Sequence, residues 1–225
     1  MELVYKGKTK DVYDKGNGNY ILKFKDDATG ANGVFDPGAN TVGVTNKGLG
    51  MDALKLTNYF YRMLEDMGVP THFFDANLEE GTMEVKPAEK FGKGLEVICR
   101  LKAVGSFFRR YGDFCENGQP LDYFVEVTLK DDEREDPPIS KDALDQLGIL
   151  SAANYEMLKA ETIKITKIVA DVLKNKGAEL YDIKFEFGIV DGKVVLIDEI
   201  SGGNMRAMKD GKFLKPLEYA PLILG

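Results

Sequence analysis

Cysteine, histidine and long apolar runs are all scarce in this sequence of 225 residues. Two cysteines, Cys99 and Cys115, are too few for a disulfide framework or a four-ligand zinc site, and a reducing compartment leaves both as thiols. The single histidine, His72, lies in Pro70-Thr71-His72-Phe73, where a packing or turn role is expected rather than a catalytic one. No uninterrupted apolar stretch approaches the ~20 residues that a bilayer crossing requires, so no membrane partner is expected. Lysine and arginine number 30 against 37 aspartates and glutamates, a net charge of −7, and this shortage of positive charge argues against broad nucleic-acid binding. A local basic pocket for a phosphorylated small molecule stays open. The start, Met1 to Lys10, carries lysines but neither an apolar run nor a small-residue cleavage site, so a cytoplasmic chain is expected. No internal repeat or low-complexity segment is visible. With 44% apolar residues the chain can bury a real core, which excludes disorder for most of its length.

The first third reads as strands and turns. Asn17-Gly18-Asn19 separates Lys8–Tyr13 from Tyr20–Lys25 and predicts a β-hairpin. Asp26 to Gly33, with Pro37-Gly38 beyond, is rich in turn formers and lacks apolar periodicity, which predicts a loop. Leu54, Phe60, Tyr61, Leu64 and Met67 fall at helical spacing from about Asp52, and Gly68 with Pro70 stops that helix. Strands are expected over Thr82–Lys86, Leu95–Leu101 and Phe124–Lys130, before the polar run Asp131 to Pro138. Ser140 caps a short helix ending before Gly148. Ser151 caps a longer one reaching about Lys176, with Tyr155, Leu158, Thr162, Ile165, Val169 and Val172 on its apolar stripe.

The most informative stretch runs from Tyr181 to Ile200. Period-2 alternation puts Tyr181, Ile183, Phe185, Phe187 and Ile189 on one face, with Asp182, Lys184 and Glu186 on the other. A two-residue Asp191-Gly192 turn would carry Asp198 to the aromatic face, at a cost of several kcal/mol unless it were paired. A three-residue loop, Val190-Asp191-Gly192, would pair 189 with 193 and set Asp198 opposite Lys184, diagonal to Glu186. The three-residue loop is therefore expected. Carboxylates converging with a lysine on one face suit a bound Mg²⁺, although a plain salt-bridged hairpin fits the same spacing. Gly7 among Lys6, Lys8 and Lys10 can lie along phosphates. Arg100, the Gly105-Ser106 turn and the pair Arg109-Arg110 offer a second anion pocket.

Together these blocks resemble the SAICAR synthetase family. The residues that carry the resemblance are Gly7-Lys8-Thr9-Lys10 with Val12-Tyr13; Phe24 to Thr29; Gly68 to Phe73; Glu96 to Arg100 with Gly105-Ser106; Leu129 to Asp132 with Asp136-Pro137; Asp182 to Gly188; and Asp198-Glu199-Ile200-Ser201 with Arg206. The resemblance implies a two-lobed α+β fold with ATP and Mg²⁺ in a cleft. It divides the chain into a β-rich N-terminal lobe over 1–86 and a mixed α/β lobe over 87–225. It implies the ATP-dependent joining of carboxyaminoimidazole ribonucleotide to L-aspartate in purine biosynthesis, and it allows a homodimer. By resemblance, Gly7, Lys8, Lys10, Lys86 and Glu96 bind ATP, and Glu186 and Asp198 hold the metal. Lys130 and Lys184 stabilise charge during transfer. Arg100, Ser106, Asp182 and Arg206 bind the ribonucleotide. Gly203 stands where the family carries an aspartate, which leaves the amide oxygen of Asn204 as the candidate replacement toward ribose hydroxyls. The competing readings are a related ligase with another acceptor and a nucleotide-binding module without turnover; the joint presence of Lys10, Lys184, Glu186 and Asp198 argues against the module.

Overall fold

The computed structural model describes residues 1–31, 34–35 and 42–225. In chain order the elements are β1 (Glu2–Lys6), β2 (Lys10–Asp14), β3 (Tyr20–Phe24), β4 (Asp27–Ala31), β5 (Val34–Phe35), β6 (Val42–Thr45), α1 (Leu49–Asp66), β7 (Phe73–Asn77), β8 (Thr82–Val85), β9 (Glu89–Lys90) and β10 (Leu95–Lys102). There follow α2 (Gly105–Tyr111), β11 (Pro120–Leu129), α3 (Lys141–Gln146), α4 (Ala152–Asn175), β12 (Glu179–Val190), β13 (Lys193–Ile197), β14 (Met205–Lys209), β15 (Lys212–Phe213) and α5 (Tyr219–Leu224). Strands and helices mix throughout, as expected of an α+β chain. No helix among the described residues is long and apolar enough to cross a membrane.

The chain forms two compact units: Met1–Glu89 with Gly188–Asn204 and Lys215–Gly225, and Lys90–Phe187 with Met205–Leu214. This differs from a single division after residue 86, because β12 is one continuous strand whose last residues, with β13, belong to the first unit.

In the first unit, β1-β2-β3-β8-β7 form an antiparallel sheet, and the β2–β3 hairpin pairs Lys10 with Phe24 and Asp14 with Tyr20 across the expected Asn17-Gly18-Asn19 turn. Leu54, Phe60, Tyr61 and Leu64 of α1 are wholly buried, joining Met83 and Val85 of β8 and Tyr219 and Ile223 of α5 in the core. The α1 helix stops where expected, with Gly68 in the left-handed region at φ 68°. The segment expected to be a loop after Asp26 is instead partly strand: β4 pairs with β5 and with β6. Pairing supplies the order there that apolar periodicity does not signal. Of that segment, Asn32, Gly33, Pro37 and Gly38 lie outside the described residues.

In the second unit the strand order is β11-β10-β12-β14-β15, antiparallel throughout. Ser140 and Ser151 cap α3 and α4, their hydroxyls accepting from Ala143 N at 3.1 Å and Asn154 N at 3.2 Å. The α4 stripe buries Leu158, Thr162, Ile165, Thr166, Val169 and Leu173, ending on Leu173 rather than Val172. It packs on β10 and β11, where Val97, Cys99, Val125 and Val127 are buried. Removing such a side chain, as in Ile165→Ala, costs about 2–5 kcal/mol. That packing fixes which sheet face is left for charged groups.

Candidate active site

The charged groups of the second unit follow from strand register. Paired residues of an antiparallel sheet share a face, and Glu96 pairs with Glu186, Ile98 with Lys184, Arg100 with Asp182, and Asp182 with Arg206. The face away from α4 therefore carries two clusters in a row. In the first, Lys184 Nζ donates to Glu96 Oε1 at 2.7 Å and Lys130 Nζ donates to Glu186 Oε1 at 2.5 Å. Burial opposes the charge on Lys184, but Glu96 and Glu186 outweigh it and raise its pKa, so it stays an ammonium.

In the second cluster Arg100 is buried, and its guanidinium organises its neighbours. Its Nε donates to Glu126 Oε1 at 2.9 Å, Nη1 to Asp182 Oδ2 at 3.0 Å and Nη2 to Ser106 Oγ at 2.9 Å. Asp182 is wholly buried and also accepts from Arg206 Nη1 at 2.7 Å, while Glu126 also accepts from Arg110. Gly105 is required where it stands: it sits at φ 55°, and a Cβ would lie 2.8 Å from Arg206 Nη1. Arg100, Ser106, Asp182 and Arg206 thus come together as a set. Glu126 is the member that sequence reasoning missed; its pairing opposite Ile98 puts it on the same face, but only the register shows that.

The first unit builds its cluster differently. Gly7, Lys8 and Thr9 form the tight connection between β1 and β2, with Gly7 N donating to Lys10 O at 3.0 Å and no room for a Cβ, which would lie 2.3 Å from that oxygen. Lys8 is exposed in this turn, whereas Lys10 is buried at the start of β2. Lys86, just after β8, is exposed and donates its backbone N–H to His72 O at 2.8 Å. Lys10 Nζ lies 3.0 Å from Asp198 Oδ1 and 2.7 Å from Glu199 Oε2. Burial works against the charge on Lys10, yet the two carboxylates more than offset it and raise its pKa.

The expected three-residue hairpin loop is not what forms. β12 runs to Val190, β13 starts at Lys193, and Asp191 (φ 51°) and Gly192 (φ 74°) are both left-handed, the signature of a two-residue type I′ turn. Its twist matches the flanking strands, and the penalty expected at Asp198 is never incurred. β13 ends at Ile197 and Asp198 adopts φ 69°, so alternation stops one residue before it and its side chain stays about a third exposed beside Lys10. A left-handed non-glycine residue costs about 1–2 kcal/mol. The same twist brings Glu199, for which no role was expected, onto Lys10, and Ser201 Oγ donates to Glu199 Oε1 at 2.8 Å.

Asn204 does not stand in for the family aspartate. Its Oδ1 accepts from Ser201 N at 3.0 Å and its Nδ2 donates to Glu199 O at 2.6 Å, so the amide closes its own turn. A Cβ at Gly203 would lie 3.2 Å from Glu199 Oε1 and Ser201 Oγ. His72 is buried, as its expected packing role requires, and burial pushes its pKa down to about 4.

Among the described residues no three histidine, cysteine, aspartate or glutamate side chains gather as a metal site. Asp198 and Glu186 are oxygen donors of the hard kind Mg²⁺ takes, one or two at a time, and each is partnered by a lysine.

The SAICAR synthetase family model matches residues 3–215. A phosphoribosylaminoimidazole-succinocarboxamide synthase of Clostridium tetani is 63% identical over 226 residues, covering 100% of both chains. Its counterpart in Thermotoga maritima is 38% identical, covering 92% of this chain and 86% of its own. Among solved structures, a SAICAR synthetase in complex with ADP superposes with a TM-score of 0.83 at 30% identity, covering 94% of this chain and 87% of its own. The synthase of Ehrlichia chaffeensis gives a TM-score of 0.84 at 28% identity, covering 100% of this chain and 92% of its own. The chain therefore belongs to the SAICAR synthetase family, ligases that join carboxyaminoimidazole ribonucleotide to aspartate at the expense of ATP in purine biosynthesis.

Proposed function

We propose that this chain performs the ligation through an acyl phosphate, with the ribonucleotide held by the second unit and the ATP phosphates met by lysines of the first. The observation that carries this reading is the Arg100–Asp182–Arg206 chain with Ser106 attached, buried at Arg100 and Asp182 and partly open at Arg206, an anion-binding arrangement that stability alone does not demand. An amine cannot displace oxide from a carboxylate. The carboxylate oxygen of the ribonucleotide therefore attacks the γ-phosphorus of ATP, the bond to the β-phosphate oxygen breaks, and ADP leaves. The aspartate amine then attacks the acyl carbon, loses a proton, and expels inorganic phosphate, which carries away the oxygen that the carboxylate supplied.

In this scheme Gly7 makes the tight turn that sets Lys8 and Lys10 to offset the charge of the ATP phosphates, and Lys86 and Glu96 serve the nucleotide. Lys130 and Lys184 balance charge as the phosphoryl group moves, a role that depends on positioning more than on proton transfer. Arg100, Ser106 and Arg206 hold the ribonucleotide phosphate, and Asp182 shapes that pocket through the two arginines. Glu186 and Asp198 are the candidate Mg²⁺ ligands; the ion would neutralise phosphate charge. A cytoplasmic location is in keeping with its small-molecule substrates. The test is turnover with ¹⁸O in the substrate carboxylate: the label is expected in the released phosphate. Label retained wholly in the amide product would contradict the acyl phosphate.

A further inference from the structure

Asp198 is held in its left-handed conformation from inside the first unit by two side chains for which the proposed reaction has no use. Tyr61, on α1 and wholly buried, donates its hydroxyl to the carbonyl oxygen of Asp198 at 3.1 Å. His72, only 5% exposed, also hydrogen-bonds to the Asp198 backbone. The His72 Nε2 has no hydrogen-bond partner, so the donor is Nδ1–H and the ring is the neutral Nδ1-protonated tautomer. The two rings meet edge to face, centroids 6.1 Å apart, and Tyr61 meets Phe73 in the same way at 5.6 Å. On the same helix Thr57 Oγ1 accepts from Ile200 N at 3.3 Å, so α1 grips the chain on both sides of Glu199.

A carbonyl that receives two buried donors is fixed in direction, and the carbonyl direction at Asp198 is set by the same backbone rotation that lifts its carboxylate out of the strand alternation. Continued as regular strand, residues 198 and 199 would point to opposite faces, whereas here both carboxylates meet Lys10.

We propose that Tyr61 and His72 are positioning residues that clamp the Asp198 carbonyl and so hold the Asp198 carboxylate at Lys10, where the nucleotide phosphates and Mg²⁺ are handled. This rests on the role proposed above for Asp198. Neither residue touches a substrate, and either can be altered without removing a charge.

The test compares Tyr61→Phe, His72→Leu and His72→Asn, with Phe60→Leu as a control that loses buried core next door without touching Asp198. Two quantities are read: Mg²⁺-dependent binding of ADP, and amide hydrogen exchange over residues 196–201 in the unliganded chain. Tyr61→Phe and His72→Leu are each expected to weaken Mg²⁺-dependent ADP binding by roughly three- to tenfold, the effect of one buried hydrogen bond, and to speed exchange over that segment. His72→Asn, whose amide nitrogen can replace Nδ1, is expected to restore most of the binding. Phe60→Leu is expected to lower the melting temperature with ADP binding unchanged. Wild-type binding in both donor-less variants, or an equal loss in Phe60→Leu, would overturn the clamp. Failure of the wild type itself to bind ADP with Mg²⁺ would instead contradict the role of Asp198, and with it the purpose of the clamp.

Discussion

The two units reach similar chemistry by opposite means. In the second, antiparallel register sets the charged groups that the strands carry: Glu96 beside Glu186, Arg100 beside Asp182, Asp182 beside Arg206, with Lys130 and Arg110 joining from just beyond β11 and from α2. In the first, the charged cluster exists because the backbone leaves regularity, at the Gly7 turn and at left-handed Asp198. Register tolerates substitution of single side chains, since the ladder holds the strand. Irregular backbone depends on a few particular residues, and disturbing one moves several groups together.

The sharpest way to break this contrast is at Lys10. Lys10→Met leaves buried Glu199 and part-exposed Asp198 without their shared cation; losing one partner of a buried ion pair costs about 3–5 kcal/mol, a ceiling here because water screens Asp198. Chemical denaturation should show that loss together with collapse of ligation; a variant near wild-type stability would show that the cluster is not held by charge pairing. Next in size is Asp182→Asn. Two arginines then lose their shared counter-charge, and the Michaelis constant for the ribonucleotide should rise on the order of a hundredfold, as expected for charged hydrogen bonds of ~1.5–3 kcal/mol. The constant for ATP should move little, because this cluster belongs to the ribonucleotide side of the proposal.

His72 gives a pH signature confined to the first unit. Its folded pKa, about 4, lies below the ordinary 6.5, so the unfolded chain takes up the proton first as pH falls. Its contribution is therefore intact above pH 6.5 and lost progressively down to about pH 4, a difference of about 3 kcal/mol. Comparing denaturation of the wild type and His72→Asn across that range should show a smaller slope in the variant. Equal slopes would place the acid sensitivity elsewhere.

The smallest effect concerns the second unit. Cys99 lies under α4 with its thiol pushed by burial up to about 11, whereas Cys115 is only partly buried. A thiol reagent at pH 8 should modify one cysteine in the folded chain and both after unfolding. Modification of Cys99 in the folded chain would show that α4 opens readily.

The contrast also explains what could be read from the sequence. Ser140, Ser151 and the α4 stripe were legible because capping and 3.6-residue periodicity are local. The face shared by Asp182, Lys184 and Glu186 was legible because strands alternate, and the family blocks pointed to Arg100, Ser106 and Arg206. Glu126 was not legible, since its membership depends on pairing across β10 and β11. The Asp191-Gly192 turn was misread because counting alternation through Asp198 assumes that the strand continues. It stops at Ile197, and one left-handed residue then carries both Asp198 and Glu199 to Lys10. The β4 strand was hidden for the converse reason: its order comes from pairing with β6 rather than from its own composition.

The most direct test of the central claim is ADP release by the purified chain with ATP, Mg²⁺, carboxyaminoimidazole ribonucleotide and L-aspartate, leaving out one component at a time and weighing the product. The account predicts release only when all four are present, with a product of the mass of the succinocarboxamide. ADP release that is indifferent to the ribonucleotide or to aspartate, or a product of another mass, would contradict it.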